Sequence, residues 1–271
     1  MTGKLMKYEL RGCLRIFLPL WAAVLVLSVI NGFTQGSQMN ISGFWPRMIL
    51  FTLPAIALFI LMIGMFAVAL VIIVRRFYNG LLGEGGYFAF SLPATTGQQI
   101  LARLITSGLM QIGCFVVAFL SAVIIFSIQA KNPVLGELKT FINMGITILK
   151  RYPRTALLTA EVILIALLFI AETILRLYSA MAIGHLASTH RVWLSVAAYL
   201  IMGWIISYVL VKIGITLAGN TDFFSVEVET AAESLNNCMK AGGLVIIALL
   251  VENVILWVIT HLILNKKLNI L

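Results

Sequence analysis

The chain has 271 residues, of which 61% are hydrophobic and 11% are charged, about half the charged share of an ordinary soluble domain. With a mean hydropathy of +1.06, this excludes a soluble globular protein and leaves almost nothing for a separate extramembrane domain. The net charge of +9 fits lysines and arginines that orient membrane helices rather than a nucleic-acid-binding surface.

The expected class is all-α, a polytopic membrane protein with six transmembrane helices in a single domain over 1–271. Residues 1–15 carry Lys4, Lys7, Arg11 and Arg15 on one side, with Met6, Leu10, Cys13, Leu14 and Phe17 in a second stripe. That pattern predicts an amphipathic helix at the inner membrane surface. A signal-peptide start is the alternative, but the charged segment is long for one, and no small-residue cleavage site follows Ile30. Pro19 is expected to bend the chain into span one, 16–31.

A polar loop leads to span two, 48–74, an apolar run long enough to tilt or project beyond a hydrocarbon core of roughly 30 Å. A polar, glycine-rich insert follows over 75–104: RRFYNGLLGEGGYFAFSLPATTGQQILARL. Two arginines close the incoming helix, Glu84 stands among glycines, and Tyr87, Phe88 and Phe90 form an aromatic cluster before Ser91, Leu92 and Pro93 stop it. Thr95 and Thr96 each precede a glutamine by three residues, Gln98 and Gln99, the capping-box spacing for a new helix. The insert therefore reads as a compact knob carrying a short cytoplasmic helix between spans two and three.

Span three is 104–128. Asn132 and Pro133 then open a helix running to about Tyr152. Leu135, Leu138, Phe141, Ile142, Gly145 and Leu149 face one way, which predicts an interfacial helix on the outer side, too polar to span. Span four is 155–175, a second inner loop covers 176–191, and span five is 192–217. An acidic outer segment with Asp222, Glu227, Glu229 and Glu233 leads to span six, 241–264. Neither an internal repeat nor a low-complexity segment is evident.

Orientation follows from a count. With the N-terminus inside, the inner segments hold eleven basic residues: Lys4, Lys7, Arg11, Arg15, Arg75, Arg76, Arg103, Arg176, Arg191, Lys266 and Lys267. The outer segments hold seven: Arg47, Lys131, Lys139, Lys150, Arg151, Arg154 and Lys240. The bias favours both termini in the cytoplasm of a cell-membrane protein.

No P-loop spacing occurs, so ATP binding by that route is not expected. His185 and His190 lie five apart without a zinc-protease motif, so a metal site is not expected and a surface loop is the plain reading. Cys13, Cys114 and Cys238 fall at different depths and imply neither a disulfide nor a metal framework. No catalytic residue is expected.

Four intramembrane charges stand out, because each is costly away from water. Glu172 and Arg176, at i and i+4, predict a structural ion pair. Glu161 and Lys212 lie at similar depths, about 8–9 Å inside the outer ends of their helices. They either pair, or Lys212 extends outward to the headgroups. Glu252 falls near the middle of span six with no evident partner, and reads equally as a neutral packing group or as part of a translocation path.

The stretch RFY…GYFAFSLPATTGQQILARLI resembles the first cytoplasmic loop of ABC-2 type permeases, the membrane subunits of bacterial ABC exporters. Gly85 stands where that family carries a second acid, and Tyr178-Ser179…Ile183-Gly184 is similar to its second inner loop. The resemblance implies a transport subunit with no enzymatic site or cofactor of its own. Separate ABC ATPase chains would bind ATP and Mg, and a second permease, the same or homologous, would complete the unit. It also implies that Glu84, Tyr87, Phe88, Phe90, Leu92 and Pro93 form the ATPase-coupling element, and that the substrate is an amphipathic peptide, drug or lipid. Two other classes stay open: an ion-coupled secondary transporter using Glu161, Glu172, Lys212 and Glu252, and a non-transporting immunity or scaffold protein.

Overall fold

The structure is a computed structural model that describes residues 2–36, 44–82, 95–130, 133–151, 153–187, 190–220 and 231–266. Among these, everything outside short turns is helical, and no strand occurs. The elements are α1 (Thr2–Gly36), α2 (Phe44–Arg47), a π-helical turn (Met48–Thr52), α3 (Leu53–Phe77), a second π-helical turn (Tyr78–Leu82), α4 (Thr96–Gln129), α5 (Val134–Arg151), α6 (Pro153–His185), α7 (Arg191–Asn220) and α8 (Ala231–Lys266). Six helical stretches among the described residues are long and apolar enough to cross a membrane: Met6–Gly36, Met48–Leu82, Thr96–Gln129, Ala156–His185, Arg191–Val209 and Met239–Asn265. The chain is a multi-pass membrane protein of the expected all-α class.

The spans are longer than expected. No boundary separates an interface helix from span one, because α1 runs unbroken from Thr2 to Gly36 with Pro19 inside it. Proline removes one backbone donor and crowds the preceding turn, yet buried Cys13 and Phe17 before it and Val24 after it anchor both sides to the same core. Span two continues through the second π-turn to Leu82, and α4 starts at Thr96, so the insert loses eight residues at its start and nine at its end. The expected inner loop at 176–191 is mostly helix, since α6 runs to His185. α8 likewise begins ten residues before the expected span six.

Two compact units are present, Met1–Ile73 with Ile105–Leu149, and Val74–Leu104 with Lys150–Leu271. In the first, Cys13, Phe17, Val24, Leu58, Met65, Ala69, Met110, Cys114 and Val117 form the core, three buried positions from each of α1, α3 and α4 at one-to-two-turn spacing. Gly113 leaves room for Trp21, whose ring a Cβ there would meet at 2.5 Å. Gly32 and Gly36 seat α1 closely on α4, where added Cβ atoms would come to 2.8 Å from the Ile128 side chain and 3.3 Å from its carbonyl. This small-xxx-small spacing lets membrane helices approach without a large apolar driving force. Above it the Asn31 amide donates to the Pro54 carbonyl at 2.6 Å, Gln35 donates to Asn31 Oδ1 at 3.2 Å, and Gln129 donates to Gln35 Oε1 at 2.8 Å. On α5 no described residue is buried, and Phe141, Ile142, Met144 and Ile146 are all exposed, as on a helix whose apolar side meets lipid.

In the second unit α6 lies along both α7 and α8, which barely touch each other. The C-terminal half of α6 is its most buried stretch, with Glu172, Ile174, Leu175, Tyr178, Ser179, Ala180, Met181 and Ala182 all shielded. Small side chains explain how this segment packs as helix rather than emerging as a loop. Gly184 is the extreme case, because a Cβ there would overlap Ser195 of α7.

Candidate functional site

Two sets of polar residues in the second unit have geometry that packing alone does not require. The first mounts the insert. α4 opens with a reciprocal capping box, in which the Thr95 amide donates to Gln98 Oε1 and the Gln98 amide to Thr95 Oγ1, both at 3.4 Å. Of the two threonine–glutamine pairs in the sequence, this one caps the helix. Thr96 instead donates its hydroxyl to Asn265 Oδ1 of α8 at 2.8 Å, and Gln99 is buried.

On the other side of the insert, the π-turn widens the end of the helix. Buried Arg103 ties this end down, donating to the Arg76 carbonyl at 2.6 Å and the Gly80 carbonyl at 3.1 Å. His185 Nε2 lies 2.8 Å from the Leu82 carbonyl, and since a carbonyl only accepts, that nitrogen carries the proton. Phe77 stacks on Tyr178 at 4.0 Å between centroids, and Tyr78 lies beside His185 at 6.2 Å. His185 is therefore a structural contact at the end of α6, not the surface-loop residue expected. Both ends of the insert are tied to α4, α6 and α8. Glu84, Tyr87, Phe88, Phe90, Leu92 and Pro93 lie outside the described residues.

The second set lies inside the membrane helices. Glu172 and Arg176 form the expected pair, Oε1 to Nε 3.2 Å, close in charge but not aligned as a hydrogen bond. Glu172 is 2% exposed. Arg176 also sits over the Tyr199 ring at 5.0 Å, and its guanidinium would meet a Cβ on Gly203 at 3.1 Å, so α6 and α7 close round it. Glu252 lies within electrostatic reach of both members of the pair. Its neighbour Asn253 is buried and donates to the Leu168 carbonyl at 3.2 Å and the Leu249 carbonyl at 2.7 Å.

Glu252 also faces a groove of about 490 Å³ between α7 and α8, whose other described lining residues are all apolar, among them Met202, Ile205, Val251 and Ile255. Its Oε1 is shielded and accepts no hydrogen bond from the described residues.

Glu161 and Lys212 stand apart from this cluster. A carboxylate oxygen of Glu161 lies where a Cβ on Gly242 would come to 3.0 Å, so Glu161 faces α8. Lys212 is exposed and holds its ammonium 5.8 Å from the Tyr208 ring centroid. Pairing of Glu161 with Lys212 is not the arrangement found. On α1, Lys7, Arg11 and Arg15 are exposed, Arg11 and Arg15 beside a shallow hollow with Tyr8 and Ile16; the Lys4 side chain lies outside the described residues. Among the described residues no three of His, Cys, Asp and Glu come together to hold a metal ion.

Sequence reasoning missed Arg103 and His185, which it read as a topology charge and a loop residue, and it assigned Asn253 no role. The signal for Arg103 was available, since an arginine two turns into a helix that continues as an apolar span needs acceptors nearby. No family model, curated protein or solved structure matches this chain.

Proposed function

We propose that this chain is the permease subunit of an ABC exporter, working with separate ATPase chains and a second permease, with its termini and the 83–94 insert in the cytoplasm. The supporting observation is the mounting of the insert: Arg103 and His185 fix the helix end before it, and the Thr95–Gln98 box fixes the helix start after it. A loop that passes motion from a partner into membrane helices needs such a mount, because a loose base would dissipate the displacement. The insert sequence, with Tyr87, Phe88 and Phe90 together, supplies the kind of aromatic anchors that dominate binding to a pocketed partner. In this reading the ATPases move the insert, α3 and α4 carry the motion, and an amphipathic substrate crosses through the membrane helices.

Purification from native membranes in mild detergent tests this directly. An ABC ATPase in stoichiometric amount is expected, and Tyr87→Ala with Phe90→Ala should reduce its recovery while the permease still inserts. Recovery of the chain without an ATPase, or full ATPase recovery with the double variant, would count against the reading. The polar set Glu172, Arg176 and Glu252 favours a second reading, an ion-coupled transporter. Transport that stops with a protonophore but survives ATP depletion would select it.

A further inference from the structure

We infer that the groove between α7 and α8 is a binding site for a membrane-soluble amine, an amphiphile with one cationic nitrogen on an apolar body, with Glu252 as its counter-group. The inference rests on the groove alone and holds whether or not the chain serves an ATPase. Its volume of about 490 Å³ is that of a small-molecule site. Met202, Ile205 and Val209 on one wall and Val251, Ile255 and Ile259 on the other offer only apolar side chains. Glu252 is the single polar residue among the described residues of the lining. Its shielded Oε1 has no hydrogen-bond donor among the described residues, and leaving such an acceptor unmet is unfavourable.

Charge decides the ligand class. Arg176 is the nearby cation, but Glu172 holds it at 3.2 Å and Tyr199 covers its face. With both carboxylates ionised, the cluster of Glu172, Arg176 and Glu252 carries one negative charge in excess, facing the groove. A fatty acid would be repelled there, and a neutral lipid tail would leave the carboxylate unmet. A metal ion would need several oxygen ligands, and the lining supplies one carboxylate. An ammonium or protonated amine meets the charge and supplies the missing donor, while its apolar body fills the walls.

The test uses the full-length protein in nanodiscs of zwitterionic lipid, with tritiated dodecylamine as probe and empty nanodiscs as the partition control. Saturable binding at one site per chain is expected, competed by unlabelled dodecylamine but not by dodecanol or dodecanoate. Glu252→Gln should weaken it at least tenfold, and Val251→Trp, which fills the groove, should abolish it. Val251→Trp keeps the test decisive if Glu252→Gln does not fold. Dodecanol competing as well as the amine, or binding unchanged in both variants, overturns the inference. So does efficient Val251→Cys cross-linking between copies that dodecylamine leaves unaffected, because the groove would then hold a helix of a second chain.

Discussion

The guanidinium of Arg103 donates to the carbonyl of Gly80, 23 residues earlier, across 3.1 Å, and lies where any side chain at position 80 would be. The glycine and the arginine are thus one device, because an added Cβ would overlap the guanidinium that satisfies the π-turn. Arg103→Ala leaves the Arg76 and Gly80 carbonyls without their donor in a shielded site, a loss of about 1–3 kcal/mol. Gly80→Ala should destabilise by displacing the same group. Arg103→Lys should not restore stability, since a lysine lacks the planar fork that reaches two carbonyls at once. Thermal unfolding in one detergent should rank both Arg103 variants and Gly80→Ala below the parent; a lysine variant equal to the parent would show that charge alone suffices.

His185 supplies the other tie, and its contribution separates from that of Arg103 because it meets a different carbonyl, that of Leu82. His185→Ala removes one donor of the net value of roughly 1 kcal/mol. Local opening at Tyr78–Leu82 should therefore become about fivefold more frequent, with the rest of α6 unaffected. Hydrogen–deuterium exchange resolves this: faster exchange confined to 78–82 is expected, and an unchanged rate there would show that the turn is held without His185, by Arg103 and the stack of Phe77 on Tyr178.

The six spans were legible because an apolar run of eighteen or more residues has few alternatives. Their ends were not. Arg176, Ser179 and His185 look like loop residues by composition, but each finds a partner that only the fold provides: Tyr199 for Arg176, the Met202 sulfur for Ser179, and the Leu82 carbonyl for His185. Gly32 and Gly36 read as the start of a polar loop, although their spacing is what lets α1 approach Ile128. The i,i+4 pair of Glu172 and Arg176 needed no tertiary information, being local to one helix. The anomaly at Glu252 was visible as a charge at depth. Its groove was not, since it depends on α7 and α8 both packing on α6 while standing apart from each other.

Topology gives a test that is independent of mechanism. The proposed orientation, with both termini inside, rests on eleven basic residues on the inner segments against seven on the outer ones. Position 225 should then face outward and position 83 inward. An impermeant maleimide applied to intact cells should label Ser225→Cys and not Gly83→Cys, in a background where Cys13, Cys114 and Cys238 are replaced. The reverse pattern would invert the whole assignment and move the insert away from any cytoplasmic ATPase.

The Glu172–Arg176 pair separates a supporting role from a transport role. Glu172 is 2% exposed, so removing its cation strands a carboxylate with Glu252 as its remaining charged neighbour. Breaking a buried pair from one side is strongly destabilising, about 3–5 kcal/mol, whereas replacing both members by apolar residues of similar size is often nearly neutral. Arg176→Met should therefore lower the yield of folded protein sharply, and Glu172→Leu with Arg176→Met should recover most of it. Arg176→Lys should recover less, because a lysine keeps the charge but loses the flat contact with Tyr199 at 5.0 Å. If the pair serves only to hold α6 against α7, the double variant should also retain whatever transport the parent shows. A double variant that folds to parental levels and yet transports nothing would place the pair on the transport path, beside Glu252.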